Sequence, residues 1–255
     1  MKLLALDTAT STAGIALVEG DRVLAEARHD TAGRGADLLV AIDRLCRDAG
    51  VAPTELEAIA IGAGPGSFTG LRIGMATAKG IAFAAGRPLW AVSSLAALAD
   101  DAQRELDGDL PAAIDAMLDD DPPATVICAA LDARRGEVFA GCFVRGVALA
   151  PERVLAPEEL AAWAHEIAST SQRASAGALL VFAGDAIAAH PALASIDARG
   201  AHWLAARTPS GRAVARLALA GARVDVTLGG APTYIRPSEA EVKYPDGVPG
   251  ALRKR

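Results

Sequence analysis

The sequence predicts an α/β protein of two similarly built lobes, each a mixed sheet flanked by helices. One plan occurs twice. LLALD–TATSTA–GIALVEG near the start and ICAALD–ARRG–EVFAGCFV past the midpoint are each an apolar strand, a terminal Asp, a polar turn and a returning apolar strand. A repeated unit of this kind points to duplication. Residues 57–86 add the β–α alternation of a layered fold: a short apolar run, a turn of small residues, then a long helix with only Arg72 and Lys79 as charges. Between the halves, DGDLPAAIDAMLDDDPP over 107–123 is acidic, proline-bounded and without sustained periodicity, which marks a boundary.

The elements follow in order. Residues 3–6 read as a strand ending at Asp7, 14–18 as a second strand and 23–28 as a third, so the chain opens on a three-strand meander. Residues 36–49 form a helix closed by Gly50, with Leu38, Leu39, Ile42, Leu45, Cys46 and Ala49 on one face and Val40 opposite among Asp43, Arg44 and Arg47. Residues 58–61 are a buried strand, and the helix over 68–85 contains Gly70, Gly74 and Gly80. Each glycine costs about 1 kcal/mol in a helix interior, so another backbone must approach closely: this helix is interior, or an interface, or both. A strand over 89–92 precedes a helix capped by Ser93 or Ser94 and running to about Leu106. Beyond the boundary come strands 125–131 and 137–144, a helix 157–165, a strand 179–183 and a helix 209–222, whereas 232–243 has few globular signals. The expected division is an N-terminal lobe 1–106 joined by the helix near 209–222, an acidic insertion 107–123, a C-terminal lobe 124–208 and a tail 223–255.

Composition narrows the function classes. At 255 residues, with 52% apolar but only 4% aromatic side chains, the core is built from Ala, Leu, Val and Ile. No apolar run reaches bilayer length and no leader pattern opens the chain, which predicts a cytoplasmic protein with no membrane association. Cys46, Cys128 and Cys142 are far apart without CxxC spacing, as expected of reduced core thiols. A net charge of −6 argues against strong nucleic-acid binding by the chain alone. The basic end, Arg253-Lys254-Arg255, is expected to be solvated.

The glycine-rich turn, Gly62-Ala63-Gly64-Pro65-Gly66-Ser67, invites a phosphate, because N–H groups at a helix start favour anions. Its details differ from the known motifs. Leu71-Arg72 stands where a P-loop needs Lys, Ser67 stands where the dinucleotide pattern needs a third Gly, and Pro65 and Thr69 replace the glycines of a nucleophile elbow. Ser67 reads as a helix cap. His29, His165, His190 and His202 form no metal-binding pair. Asp7 and Asp132, each at the C-terminal end of a strand, are the acid/base or magnesium candidates; the alternative is that each caps its own hairpin turn.

DTAT at 7–10 looks like the first phosphate motif of the actin, Hsp70 and sugar-kinase superfamily. LALDTATSTAGIAL, IGAGPGSFTGLRIGMATAKGIA, ALDARRGEVFAG and PTYIRP together resemble the TsaB family of bacterial tRNA threonylcarbamoyladenosine synthesis, a glycoprotease-like family. The resemblance runs in order to about Pro237 and is weak over 107–124 and 147–208. It implies two actin-like (ribonuclease H-like) lobes and a non-catalytic pseudoenzyme: no catalytic residue, no metal, no cofactor. It further implies a heterodimer with the catalytic paralogue TsaD, joined by the ATPase TsaE, serving the adenosine beside the anticodon of ANN-decoding tRNAs, with tRNA reached only through the complex. On that basis Asp7, Thr8, Thr10, Gly64, Gly66, Ser67 and Asp132 are remnants of a nucleotide site. The partner interface falls on the first two long helices, through Leu38, Leu39, Ile42, Leu45, Gly70, Leu71, Gly74, Met75 and Ala78. Gly70, Gly74 and Ala78 at i, i+4, i+8 would let a facing helix come close. The chain departs from the family where a histidine often precedes the first helix; Thr31-Ala32-Gly33-Arg34-Gly35 stands here. The competing classes are an active ATP-dependent phosphotransferase using Asp7 and Asp132, a metalloprotease, and a homodimeric interaction module unrelated to tRNA. A homodimer of the isolated chain is compatible with the resemblance as well.

Overall fold

Strands β1 (Lys2–Asp7) and β2 (Thr12–Glu19) are almost continuously apolar, and both are buried on both faces, as central strands of a covered sheet must be. In the computed structural model, which describes residues 1–30, 35–108, 125–171, 178–193, 202–205 and 207–236, they pair antiparallel with Leu6 opposite Ile15. The half-exposed β3 (Arg22–Asp30) continues the meander at the sheet's edge. On the other side β1 runs parallel to β4 (Ala58–Gly62), and β4 parallel to β5 (Leu89–Val92). A two-residue β12 (Val224–Asp225) from far along the chain closes the order β12-β5-β4-β1-β2-β3.

Side-chain alternation sends the two faces of this sheet to different helices. Leu4, Leu6, Ile15 and Leu17 pack with Leu38, Ile42 and Leu45 of α1 (Gly35–Asp48) and with Met75, Ala78 and Ala82 of α2 (Phe68–Ala85). Leu3, Ala5, Ala16 and Val18 face the opposite way. They meet Ala97 of α3 (Ser94–Gly108) and Val214 and Leu217 of α6 (Gly211–Leu219). Helix α2 is bounded as its sequence suggests: the Ser67 hydroxyl accepts from Gly70 N–H at 3.3 Å, and Gly86 ends it at φ +64°.

The second sheet repeats the plan. Strand β6 (Thr125–Arg134) pairs antiparallel with β7 (Glu137–Val144) and parallel with β10 (Leu179–Ala183). The short β8 (Val147–Ala148), β9 (Arg153–Leu155) and β11 (His202–Trp203) complete it, β9 pairing with β7. One face is covered by α4 (Leu160–Thr170), whose first turn is a 3₁₀ segment, Pro157–Glu159, and by the single-turn α5 (Ala186–Ala189). The other face meets α3. Its Leu95, Leu98, Ala102 and Leu106 pack on Ile127, Ala129, Leu131 and Phe143, so one helix belongs to both cores. The structure thus has two lobes, each a mixed sheet flanked by helices.

Three differences from the sequence reading have simple causes. Strands β8, β11 and β12 are two residues long, too short for periodicity to register. Helix α3 runs to Gly108, so the first residues of the expected insertion are helical, and 109–124 lie outside the described residues. The tail is not featureless. Val224–Asp225 adds a strand, and 233–236 touch both lobes, because pairing with distant partners leaves no local signature. Residues 31–34, where the family histidine is lacking, and the basic end are also outside the described residues.

Candidate functional site

Parallel strands β1, β4 and β5 end side by side, which is where α/β folds place ligands. Asp7 stands there, 1% exposed. One carboxylate oxygen accepts from Ala9 N–H at 2.7 Å and the other from the Ser94 hydroxyl at 2.6 Å. Ser94 in turn accepts from Gly64 N–H at 3.1 Å. Burial pushes the Asp7 carboxyl up to about 6, against the pull of those two hydrogen bonds. Any side chain at residue 62 would collide with it: a Cβ on Gly62 would lie 1.7 Å from the Asp7 carboxylate.

The β1–β2 turn folds down onto the glycine turn and the start of α2. The Thr8 hydroxyl donates to Gly70 O at 2.8 Å, and Ser67 N–H donates to Ala9 O at 2.7 Å. A Cβ on Gly66 would meet Ala9 at 2.5 Å, and one on Gly70 would meet the Thr8 carbonyl at 2.2 Å. At Gly74 it would lie 2.1 Å from the Thr8 hydroxyl. Thr10 is 5% exposed and its hydroxyl donates to Thr12 O at 2.9 Å. The residues read as a phosphate cradle are thus brought together, and the chain's own turn fills the cradle.

Asp132 shares one device with Asp7. It accepts from the N–H two residues on, Arg134, at 2.9 Å, as Asp7 does from Ala9. Beyond that the sites differ. The Asp132 carboxylate also meets His190 Nε2 at 3.2 Å and the Arg134 guanidinium at 3.2 Å. Its N–H donates to Asp185 at 2.9 Å. Burial first, then the Asp132 charge, raises the Asp185 carboxyl, opposed by that hydrogen bond. His190 lies 58 positions from Asp132, so no local spacing could have found it. Among the described residues no group of three or more His, Cys, Asp or Glu is arranged to hold a metal.

The residues expected at the partner interface lie elsewhere. Leu38, Ile42, Leu45, Leu71, Met75 and Ala78 are buried in the chain's own core, and the Gly70–Gly74 face lies on Thr8. The helical spacing was right, but a glycine face receives a tight turn as readily as a helix, and the pattern does not distinguish them. Of the named residues only Leu39 is exposed, at 54%, beside Val40 at 66%. On α2 the outward stripe is Ala76, Gly80, Phe83 and Ala84, with Phe83 91% exposed and open space over Gly80. Between α1 and α2 lies an apolar groove of about 390 Å³ lined by Leu39, Val40, Ile42, Cys46, Leu56 and Ile81. No helix among the described residues is long and apolar enough to cross a membrane.

Comparison with known proteins extends this geometry. The chain is 36% identical over 144 residues to the tRNA threonylcarbamoyladenosine biosynthesis protein TsaB of Bacillus subtilis, covering 56% of this chain and 55% of that protein. It is 35% identical over 139 residues to the TsaB of Escherichia coli, covering 54% and 53%. It spans about half the length of the curated relatives it matches. A crystal structure of a Pseudomonas aeruginosa protein with similarity to peptidase YeaZ superposes with a TM-score of 0.70 at 31% identity, covering 92% of this chain and 99% of that one. YeaZ from the same organism gives 0.68 at 30%, covering 91% and 99%. Residues 35–244 match the family model TsaD, tRNA N6-adenosine threonylcarbamoyltransferase. The chain therefore belongs to the TsaD family, and named relatives similar to it are the TsaB proteins of tRNA threonylcarbamoyladenosine biosynthesis.

Proposed function

We propose that this chain is a non-catalytic accessory subunit for threonylcarbamoyl transfer to the adenosine beside the anticodon of ANN-decoding tRNAs. It acts through TsaD, with TsaE joining the pair. The observation that carries the reading is the closed end of β1. A carboxylate that holds a metal or moves a proton must reach its ligand. Asp7 is 1% exposed and both its oxygens are engaged by the protein. The N–H groups of Ser67 and Gly70, which a phosphate would need, are taken by Ala9 and Ser67. The names of the relatives supply the pathway.

The partner-facing surface on this reading is the outward side of α1 and α2, Leu39, Val40, Ala76, Gly80 and Phe83. Those five residues are apolar or small and stand uncovered by the described residues. The deciding experiment reconstitutes the modification from purified subunits and compares wild type with Asp7→Asn. Activity within a fewfold is expected. A loss of roughly 10²-fold or more in a folded variant, the size of removing a general acid or base, would instead make Asp7 catalytic. ATP turnover by the chain alone would have the same meaning.

A further inference from the structure

We propose that residues 233–236 form a clasp that fixes the first turns of α2 to the second lobe. The segment follows β12, at the edge of the first sheet, and then leaves that sheet to cross between the lobes.

Its contacts divide by position. Thr233 N–H donates to Ala63 O at 2.7 Å, so the clasp is anchored on the turn that leads into α2. At the same place the Thr233 carbonyl lies 2.9 Å from where a Cβ on Gly64 would be. Gly64, at φ +109°, is thus required both by its backbone and by the approach of the clasp. The Tyr234 ring lies 5.2 Å from that of Phe68, and its hydroxyl accepts from Arg72 Nε at 3.1 Å. The Arg72 guanidinium sits 3.8 Å over Phe68 and 6.0 Å from Tyr234. Both partners of Tyr234 belong to the first two turns of α2. Ile235 packs against the apolar cluster shared by the two lobes, whose members include Leu71 of α2 and Phe139 of β7. Arg236 then donates to Glu137 at 2.7 Å and lies 5.9 Å from the Phe139 ring, both on β7.

Among the described residues, two of the links between the lobes differ in character. Through α3 the lobes share an apolar seam that cannot part without exposing a core. Through the clasp they share a cation–aromatic stack and an ion pair, each partly in water: Phe68 and Tyr234 are 39% and 41% exposed, and the Arg236 and Glu137 side chains 28% and 40%. Contacts of that kind are individually weak and can open while the seam stays closed. The clasp is a joint that couples the position of the α2 start to lobe two. On the reading proposed above this matters for how α2 meets its partner, but the test below needs no partner and stands apart from that reading.

Hydrogen exchange on the isolated full chain decides it. In Arg236→Ala, amides over 63–75 should exchange about tenfold faster, although the partners of Arg236 among the described residues, Glu137 and Phe139, belong to the other lobe. Glu137→Gln should give the same remote effect, the double variant no more than either, and Arg236→Lys most of the wild-type protection. Both side chains are more than a quarter exposed, so the variants are expected to fold, with circular dichroism as the check. Unchanged protection over 63–75 in Arg236→Ala and Glu137→Gln would overturn the clasp. So would faster exchange confined to residues near 137–143.

Discussion

Asp7 holds an ionisable carboxyl where water does not reach it, and the consequence is a pH dependence of known sign. Its folded pKa is raised to about 6, against 3.8 when unhindered, so the folded chain binds the proton more tightly than the unfolded one. Its contribution therefore falls as pH rises from about 4 to about 6, by on the order of 3 kcal/mol. Asp7→Asn should remove that slope: in urea titrations, variant minus wild-type stability should grow between pH 4 and 6 and then level off. A difference independent of pH would mean that Asp7 is ionised in a solvated setting. A second prediction compares two helical glycines. Gly74→Ala should destabilise the isolated chain by 1 kcal/mol or more, since its Cβ would press on the Thr8 hydroxyl. Gly80→Ala meets open space and should stabilise by about 1 kcal/mol through helix propensity. Thermal melting of both variants checks the pair; equal effects would contradict the geometry. The sequence marked both glycines as costly and placed Asp7 at the end of a strand. It could not tell what approaches Gly74, because Thr8 lies 62 residues away from Gly70, its hydrogen-bond partner.

Helices α1 and α2 were legible in their apolar spacing, glycine stop and serine cap; only the choice of outward face was not. On α1 that face mixes Leu39 and Val40 with Asp43, Arg44 and Arg47, and on α2 it is mostly alanine and glycine. A moderately apolar exterior resembles an interior when burial is unknown. The contrast gives a third prediction. If TsaD is the partner, as proposed above, Phe83→Glu, at a residue 91% exposed, should leave the melting temperature of the isolated chain unchanged while weakening that binding about tenfold or more. A titration with unchanged affinity would move the partner to another surface. Short strands show the opposite limit. Strand β12 has two residues, Val224 and Asp225, held opposite Ala91 and Trp90, and nothing in so brief a stretch declares a strand before its partner is known.

The two halves were legible because Asp7, at the end of β1, and Asp132, two residues before the end of β6, do the same local work, accepting from the N–H two residues on. How the halves are joined was not, because it depends on α3 facing two sheets at once. Leu98 and Ala102 lie on the second sheet while Ala97 lies on the first. Ser93, which caps α3, also donates to Glu152 across the lobes, and burial raises that carboxyl. With a helix common to both cores, calorimetric unfolding should be a single transition. Leu98→Ala should lower it as a whole, costing about 2–5 kcal/mol. Two separable transitions would show that the lobes fold independently.

Helix α6 is held on the first sheet by Asp101, which accepts from Ser210 N–H at 2.8 Å and its hydroxyl at 2.7 Å, and which Arg216 approaches to 3.2 Å. Its Val214 and Leu217 cover the face that presents Leu3, Ala5, Ala16 and Ala60. During synthesis that cover leaves the ribosome more than a hundred residues after the strands it protects. At about 5–20 residues per second, the delay is many seconds. For that interval one face of the first sheet has only α3 against part of it, while the strands of the second sheet emerge one after another. Until α6 arrives, the nascent chain thus carries an apolar sheet face without its main cover, a surface of the kind that aggregates.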